Sequence, residues 1–181
     1  MIGNDTILWN ELRDGVRDSF DKIYYQYVNI VYNYSRKITS DEALIEDCIQ
    51  ELFTDLWIKR KRISPIDNIK AYLLFSIKRR IIRKLSQRKP YVDINQAIDF
   101  DIELSVEDKL IKVGANRAHL EKLNASIQKL TSRQREIIYL KFYENLSYDQ
   151  ISKALDVDRK AVYKLMARAL KRLKQTMFYF L

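Results

Sequence analysis

Residues that interrupt helices are scarce in this sequence. Three glycines and two prolines in 181 residues are too few to punctuate a sandwich or barrel of short strands. Leu, Ile, Lys, Arg and Glu are abundant instead, all strong or tolerable helix formers, and the fold they imply is all-α. The single cysteine, Cys48, rules out an internal disulfide. Its place among apolar residues at helical spacing suits a small core side chain in a reducing compartment. The single histidine, His119, has no partner in the sequence for metal or triad chemistry. No Gly-rich phosphate loop occurs, and no acidic pair accompanies a nucleophile, so neither an enzyme, a metal site nor a cofactor is expected. No apolar run approaches the roughly 18 residues of a membrane span. The N-terminal MIGNDTILWNELRDG lacks a basic-then-apolar signal pattern. The reading is a cytoplasmic protein with no membrane insertion.

Charge is what the chain has in excess. Lys and Arg number 33 against 24 Asp and Glu, a net charge of +9 and a pI near 9.5. Such a balance invites a polyanionic partner. Against it stands Thr39 to Trp57, TSDEALIEDCIQELFTDLW. Thr39 with Glu42 predicts a capping box and a helix start. Leu44, Ile45, Cys48, Ile49, Leu52, Phe53 and Leu56 form its buried stripe. Glu46, Asp47, Gln50, Glu51 and Asp55 are left on the other side. That face suits either plain solvent exposure or docking of a protein partner, and periodicity alone does not choose.

Before this helix, Ile7 to Tyr34 reads as one or two helices with apolar and aromatic residues three and four apart. Asp5 or Thr6 is placed to cap the first, and Gly15 is the natural break. After it, Lys59, Arg60, Lys61 and Arg62 close the helix where the dipole favours cations. Ser64-Pro65 and Asp67-Asn68 make a turn. A further helix from Ile69 to about Lys89 buries Ala71, Leu73, Leu74, Ile77, Ile81 and Leu85. Its polar side carries Lys70, Lys78, Arg79, Arg80, Arg83, Lys84, Arg88 and Lys89, with no acid among them. A one-signed face repels itself, so phosphate binding explains it better than solvation does. Tyr72 and Phe75 suit either stacking on unpaired bases or the core.

From Pro90 to Asp108 the charge inverts. Asp93, Asp99, Asp101, Glu103, Glu107 and Asp108 occur with no Lys or Arg. This segment is read as an acidic linker between two small helical domains, 1–89 and 109–181. It is either a solubilising spacer or an acidic segment that lies in a partner's basic channel. In the second domain Leu110, Val113, Leu120, Leu123 and Ile127 mark one helix. Thr131 with Gln134 and Ser147 with Gln150 predict two capping boxes. Ile151 and Ala154 face inward, Asp156-Val157-Asp158 turns the chain, and Asp158 caps a last helix burying Val162, Leu165, Met166, Ala169 and Leu173. Arg159, Lys160, Tyr163, Lys164, Ala167, Arg168 and Lys171 face out. Two helices, a tight turn and a basic outer face on the second describe a helix-turn-helix.

Taken together these stretches resemble the alternative sigma factors of bacterial RNA polymerase, in their compact extracytoplasmic-function group. The resemblance runs from about Phe20 to Lys174. Asp47-Cys48-Ile49-Gln50-Glu51-Leu52-Phe53 with Leu56-Trp57 resembles the family's core-polymerase docking helix, which implies docking by Asp47, Gln50, Glu51, Phe53 and Asp55. Asn68-Ile69-Lys70-Ala71-Tyr72-Leu73 and the basic helix resemble the part that melts the minus-ten element of promoter DNA. That implies contacts from Lys59, Arg60, Lys61, Arg62, Asn68, Lys70, Tyr72, Lys78, Arg79, Arg80, Arg83 and Lys84. Leu130 to Glu136 and the helix-turn-helix resemble the reader of the minus-thirty-five element, implying Arg133, Arg159, Lys160, Tyr163, Lys164, Arg168 and Lys171. Three positions depart from the family pattern. Arg80 and Lys84 stand where the family often has Asn and Asp, and Asp156 stands where the turn commonly has Gly. The helix Ala161 to Leu173 resembles Bacteroidetes iron-uptake-type members. Family membership also implies an anti-sigma partner. The rival reading is a helix-turn-helix regulator that binds duplex DNA, commonly as a dimer, and is no polymerase subunit.

Overall fold

The computed structural model describes residues 4–88, 98–102 and 117–178. Every regular element among them is helical. The chain divides into two compact units, Met1–Ile98 and Asp99–Leu181. Most of the acidic stretch, with Asp93, Glu103, Glu107 and Asp108, lies outside the described residues. So do Lys89, Leu110 and Val113, and the side chains of His119 and Leu120.

The first unit is four helices: α1 (Asn4–Asp14), α2 (Arg17–Arg36), α3 (Glu42–Ile58) and α4 (Ile69–Arg88). The break between α1 and α2 falls at Gly15, whose φ of +93° a residue with a Cβ rarely adopts. Asp5 is not the expected helix cap. It accepts from the Tyr27 hydroxyl at 3.0 Å and from the Ile69 amide at 3.0 Å, so it ties α2 to the start of α4 across the unit. α3 begins two residues later than Thr39 would place it. Asp41 is the N-cap, accepting from the Leu44 amide at 2.9 Å, while Thr39 supports Asp41 by accepting its amide at 3.3 Å. A carboxylate is an equally good cap, and Arg88 holds its second oxygen at 2.6 Å.

The seven apolar residues expected on the inner side of α3 are all buried, where the helix packs against α2 and α4. At ~1.5–3 kcal/mol for each buried aliphatic side chain, this stripe holds the helix in one rotation about its axis. Its polar residues are thereby aimed. The loop between α3 and α4 is pinned from α1: the Trp9 indole donates to the Ser64 carbonyl at 2.9 Å, and Arg13 donates to the Ile63 carbonyl at 3.0 Å.

The second unit comprises α5 (Arg117–Gln128), α6 (Ser132–Ile138), a π-helical turn (Tyr139–Tyr143), α7 (Tyr148–Leu155) and α8 (Arg159–Phe178). Both expected capping boxes are present, at Thr131 with Gln134 and at Ser147 with Gln150. Asp158 caps α8 by accepting from the Ala161 amide at 2.7 Å. Asp156 closes α7 in the left-handed conformation, φ 54° and ψ 50°, which Asp tolerates better than most residues. Ile151, Ala154, Val162, Met166 and Ala169 are buried as the periodicity requires, whereas Leu165 and Leu173 are half-buried. Residues 99–102, read from composition as linker, also contribute to this core. Phe100 and Ile102 are buried, and Phe100 meets the Tyr139 ring edge-on at 5.7 Å.

Candidate functional site

Three surfaces carry the side chains singled out from the sequence. On α3 the polar residues divide between two flanks. Glu46 and Gln50, with Ile49, Thr54, Trp57 and Ile58, line an open groove of about 770 Å³ shared with α2, where Phe20, Tyr24 and Tyr25 form the facing wall. Tyr25 and Ile58 are exposed apolar surface on its rim. Phe53 lies at its floor. It is 3% exposed, edge-packed against Tyr24 at 4.9 Å and Phe20 at 6.4 Å. As a buried ring it shapes the groove floor and offers little surface of its own to a partner. Arg17 lies over both Phe20 and Trp57 at 5.1 Å, leaving a cationic edge on an aromatic wall.

The other flank of α3 turns towards α4. Lys84 pairs with Glu51 at 2.8 Å and reaches Asp47 at 3.8 Å. Arg80 pairs with Asp55 at 2.5 Å and reaches Glu51 at 3.6 Å. Lys59 completes the row by pairing with Asp55 at 3.0 Å. The Lys84 hydrogen bond holds the Glu51 carboxyl below its ordinary range, and the Arg80 bond, followed by Lys59, does the same for Asp55. The reciprocal effect lifts the Lys84 ammonium. Arg80, Lys84 and Lys59, expected as minus-ten contacts, are thus engaged with the acids expected to dock a partner. Arg80 and Lys84 are also two of the three positions that depart from the family pattern, and they give α3 a cationic neighbour.

Arg79 and Arg83 remain on the exposed side of α4. With Tyr72, Phe75, Ser76 and Ile82 they border a second open concavity of about 820 Å³. Arg79 stacks over Phe75 at 5.3 Å, and Tyr72 is buttressed by Trp9 at 4.9 Å. Aromatic faces interleaved with guanidinium groups suit an unpaired, negatively charged strand. Lys61 and Arg62 are exposed in the adjoining loop, while Lys70 and Lys78 are half-buried on α4. Arg60 folds back over the Trp57 ring at 4.1 Å and donates to its carbonyl at 2.6 Å. Asn68 is committed as a cap, accepting from the Ala71 amide at 2.7 Å, so it positions α4 rather than offering that oxygen to DNA.

The third surface is the outer face of α8. Arg159, Lys160, Tyr163, Lys164, Arg168 and Lys171 are all exposed, with the half-buried Tyr148 of α7 set against Tyr163 at 4.5 Å. Arg159 is drawn back by Asp149 at 3.1 Å and donates to the Tyr163 hydroxyl at 3.2 Å. Arg133 stands apart on α6, 3.5 Å from the buried Glu136. Sequence reasoning did not single out Arg135, two residues on. It is 5% exposed and donates to the carbonyls of Phe100 at 2.6 Å, Leu130 at 2.9 Å and Gln128 at 3.3 Å. It also pairs with Asp99. Among the described residues no group of His, Cys, Asp or Glu could hold a metal ion, and no helix is long and apolar enough to cross a membrane.

This combination, a helical unit with a stacking concavity followed by a helix-turn-helix unit, defines a two-part reader of nucleic acid. Residues 23–90 match the family model for Sigma-70 region 2, and residues 120–173 match that for Sigma-70, region 4. The chain belongs to the sigma-70 family of RNA polymerase sigma factors, in the extracytoplasmic-function (ECF) group. It is 26% identical over 159 residues to the ECF RNA polymerase sigma factor SigM of Bacillus subtilis (strain 168), spanning 86% of this chain and 93% of that protein. It is 27% identical over 178 residues to SigK of Mycobacterium ulcerans (strain Agy99), spanning 92% and 90%. Solved structures of CnrH in complex with the cytosolic domain of CnrY share the fold, with a TM-score of 0.62 at 18% identity over 97% of each chain. So does RpoE in complex with the anti-sigma factor NepR from Bartonella quintana, with a TM-score of 0.60 at 18% identity over 90% of this chain and 98% of that one.

Proposed function

We propose that this protein acts as an alternative sigma factor: it binds core RNA polymerase, recognises promoter DNA and helps melt it to begin transcription. The observation that carries this is the presence of two sigma-70 regions in order along one chain, each bearing its own surface. Residues 1–89 dock and melt. The α2–α3 groove with Gln50, flanked by Asp47, Glu51 and Asp55, receives the polymerase. The concavity of Tyr72, Phe75, Arg79 and Arg83 takes unpaired bases of the minus-ten element, with Lys61, Arg62, Lys70 and Lys78 beside it. Residues 109–181 read the minus-thirty-five element through Lys160, Tyr163 and Lys164 in the major groove, with Arg159 as a further contact. Residues 90–108 connect the two. Each good base contact is worth about 1–3 kcal/mol of discrimination. Arg133, Arg168 and Lys171 serve the phosphate backbone, which positions without specifying.

The protein itself catalyses no reaction, and it works in the cytoplasm where polymerase and promoters are. The solved relatives bound to CnrY and NepR support regulation by an anti-sigma protein. The Tyr- and Leu-bearing α8 favours the Bacteroidetes iron-uptake-type subgroup. A helix-turn-helix regulator would have no use for the α2–α3 groove or for a region 2 unit. The test is co-elution with purified core polymerase. Wild type should bind, and Gln50→Lys, which places a cation in the groove beside Arg17, should bind at least tenfold more weakly. Equal binding by both would remove the groove from the docking role.

A further inference from the structure

Asp5, Trp9 and Arg13 recur every four residues along α1, so they form one stripe on that helix. Each directs a polar group at the chain between α3 and α4. The Asp5 carboxylate accepts from the Ile69 amide at 3.0 Å, the Trp9 indole donates to the Ser64 carbonyl at 2.9 Å, and Arg13 Nε donates to the Ile63 carbonyl at 3.0 Å. The stripe therefore runs antiparallel to the loop and grips it in its middle and at its close. Residues 64–66 of that loop have no regular structure of their own. With the Ile63 and Ser64 carbonyls turned to α1, Lys61 and Arg62 stay exposed. Trp9 is fully buried, and its ring also meets Tyr72 edge-on at 4.9 Å. One side chain thus touches both the cationic loop and the aromatic platform of the concavity. α1 lies ahead of residues 23–90, the part that matches Sigma-70 region 2.

We propose that Trp9 and Arg13 are positioning residues: they brace the loop against Tyr72, and so set which unpaired bases the minus-ten concavity accepts. A binding constellation discriminates only when its parts are held to within roughly 0.5 Å. An irregular loop has no hydrogen-bond ladder of its own to hold it that closely. Side-chain donors from a neighbouring helix supply the hold instead, by fixing two successive peptide units at Ile63 and Ser64. An unpaired nucleotide meets the cationic loop through its phosphate and the Tyr72 ring through its base. Because Trp9 contacts both parts, a shift of its side chain changes their separation. Trp9 has no exposed surface, so it acts on DNA only through those two parts.

This inference rests on the sigma-factor reading, and its test separates the two. The wild-type chain with core polymerase first selects promoters from a DNA library randomised at the minus-ten element. Transcription is then measured on a selected promoter and on its single-base variants at the minus-ten and minus-thirty-five elements, for wild type, Trp9→Phe and Arg13→Met. Trp9→Phe keeps a ring and removes the donor to Ser64, while Arg13→Met keeps an apolar stem and removes the donor to Ile63. The ratio of preferred to substituted element does not depend on how much protein is folded, so simple destabilisation leaves it unchanged. The minus-ten ratio should fall at least about fivefold in both variants, and the minus-thirty-five ratio should stay within about twofold of wild type. A minus-ten ratio within about twofold of wild type in either variant, or equal losses at the two elements, would overturn the proposal while the sigma reading stands. In parallel, hydrogen exchange on the free protein reads the Trp9 indole proton, identified as the signal missing from Trp9→Phe. It should exchange at least about a hundredfold more slowly than in the unfolded chain. Exchange at the unfolded rate overturns the brace whether or not transcription is seen. Absence of any promoter-specific transcript from wild type, with that proton protected, would sink the sigma reading and the selectivity claim with it.

Discussion

Glu51 and Lys84 meet at 2.8 Å across the α3–α4 contact, and with Arg80 and Asp55 they decide how free the charges on each helix are. Pairing depresses both carboxyls in the folded protein. Their contribution to stability is therefore present above the unfolded carboxylate range near pH ~4, and is lost as pH falls through the lower folded-state values. The first unit should lose stability between about pH 5 and pH 2, and more steeply in wild type than in a Glu51→Gln, Asp55→Asn double variant. Trp9 and Trp57 both lie in this unit, so tryptophan fluorescence during urea unfolding isolates it. Glu51 is 45% exposed in its side chain, so at neutral pH the Glu51→Gln cost should stay below about 1 kcal/mol. Cys48 is fully buried and burial pushes its thiol up. It should resist alkylation in the native protein and react on unfolding; rapid native labelling would place it outside the core. That Cys48 is core was legible from spacing alone. The pairing of Arg80 and Lys84 was not, because a helical period assigns a residue to a face without saying what stands opposite.

At the scale of elements, local chemistry was the best guide. Both capping boxes, the Asp158 cap and the start of α4 follow from side chains that satisfy helix-end amides within a few residues, and the Gly15 break follows from a residue without a Cβ. The α3 start moved because two acceptable caps lie close together and a distant residue, Arg88, favours Asp41. The π-helical turn at Tyr139–Tyr143 had no counterpart in the sequence pattern. Its i to i+5 bonding follows from seating Tyr139 and Leu140 in the core, a tertiary demand. Asp156 gives a direct test of the turn that aims α8. Its left-handed backbone costs an ordinary L-residue roughly 1–2 kcal/mol, of which Asp escapes only part. Asp156→Gly should stabilise the second unit by about 0.5–1 kcal/mol, and Asp156→Val should destabilise it by about 1 kcal/mol or more. Thermal unfolding followed by circular dichroism would show this, and a loss of stability in the Gly variant would contradict the observed backbone. On α8, Lys171→Ala should weaken DNA binding about equally on every sequence and flatten the salt slope by about one unit. A changed promoter preference would instead place Lys171 on bases.

For the whole molecule the net charge of +9 conceals a division of labour. Acids concentrate on α3 and in the connecting stretch, while cations occupy α4 and α8. The two helical parts and the polarity of their surfaces could be read from periodicity, because each amphipathic helix must bury one side and so advertises the other. The attachment of Phe100 and Ile102 to the second unit could not, since two apolar residues among acids have no period to detect. A sigma factor must hold polymerase and promoter DNA together, and the sigma-factor account stands on that joint action. Its most direct test is promoter-specific transcription by purified core polymerase, with wild type and with Gln50→Lys checked for intact helical content. Specific transcripts from wild type, reduced at least tenfold by the substitution, are the expected result. No transcript and no core binding, with tight dimeric binding to duplex DNA in its place, would contradict the account and make the protein a regulator.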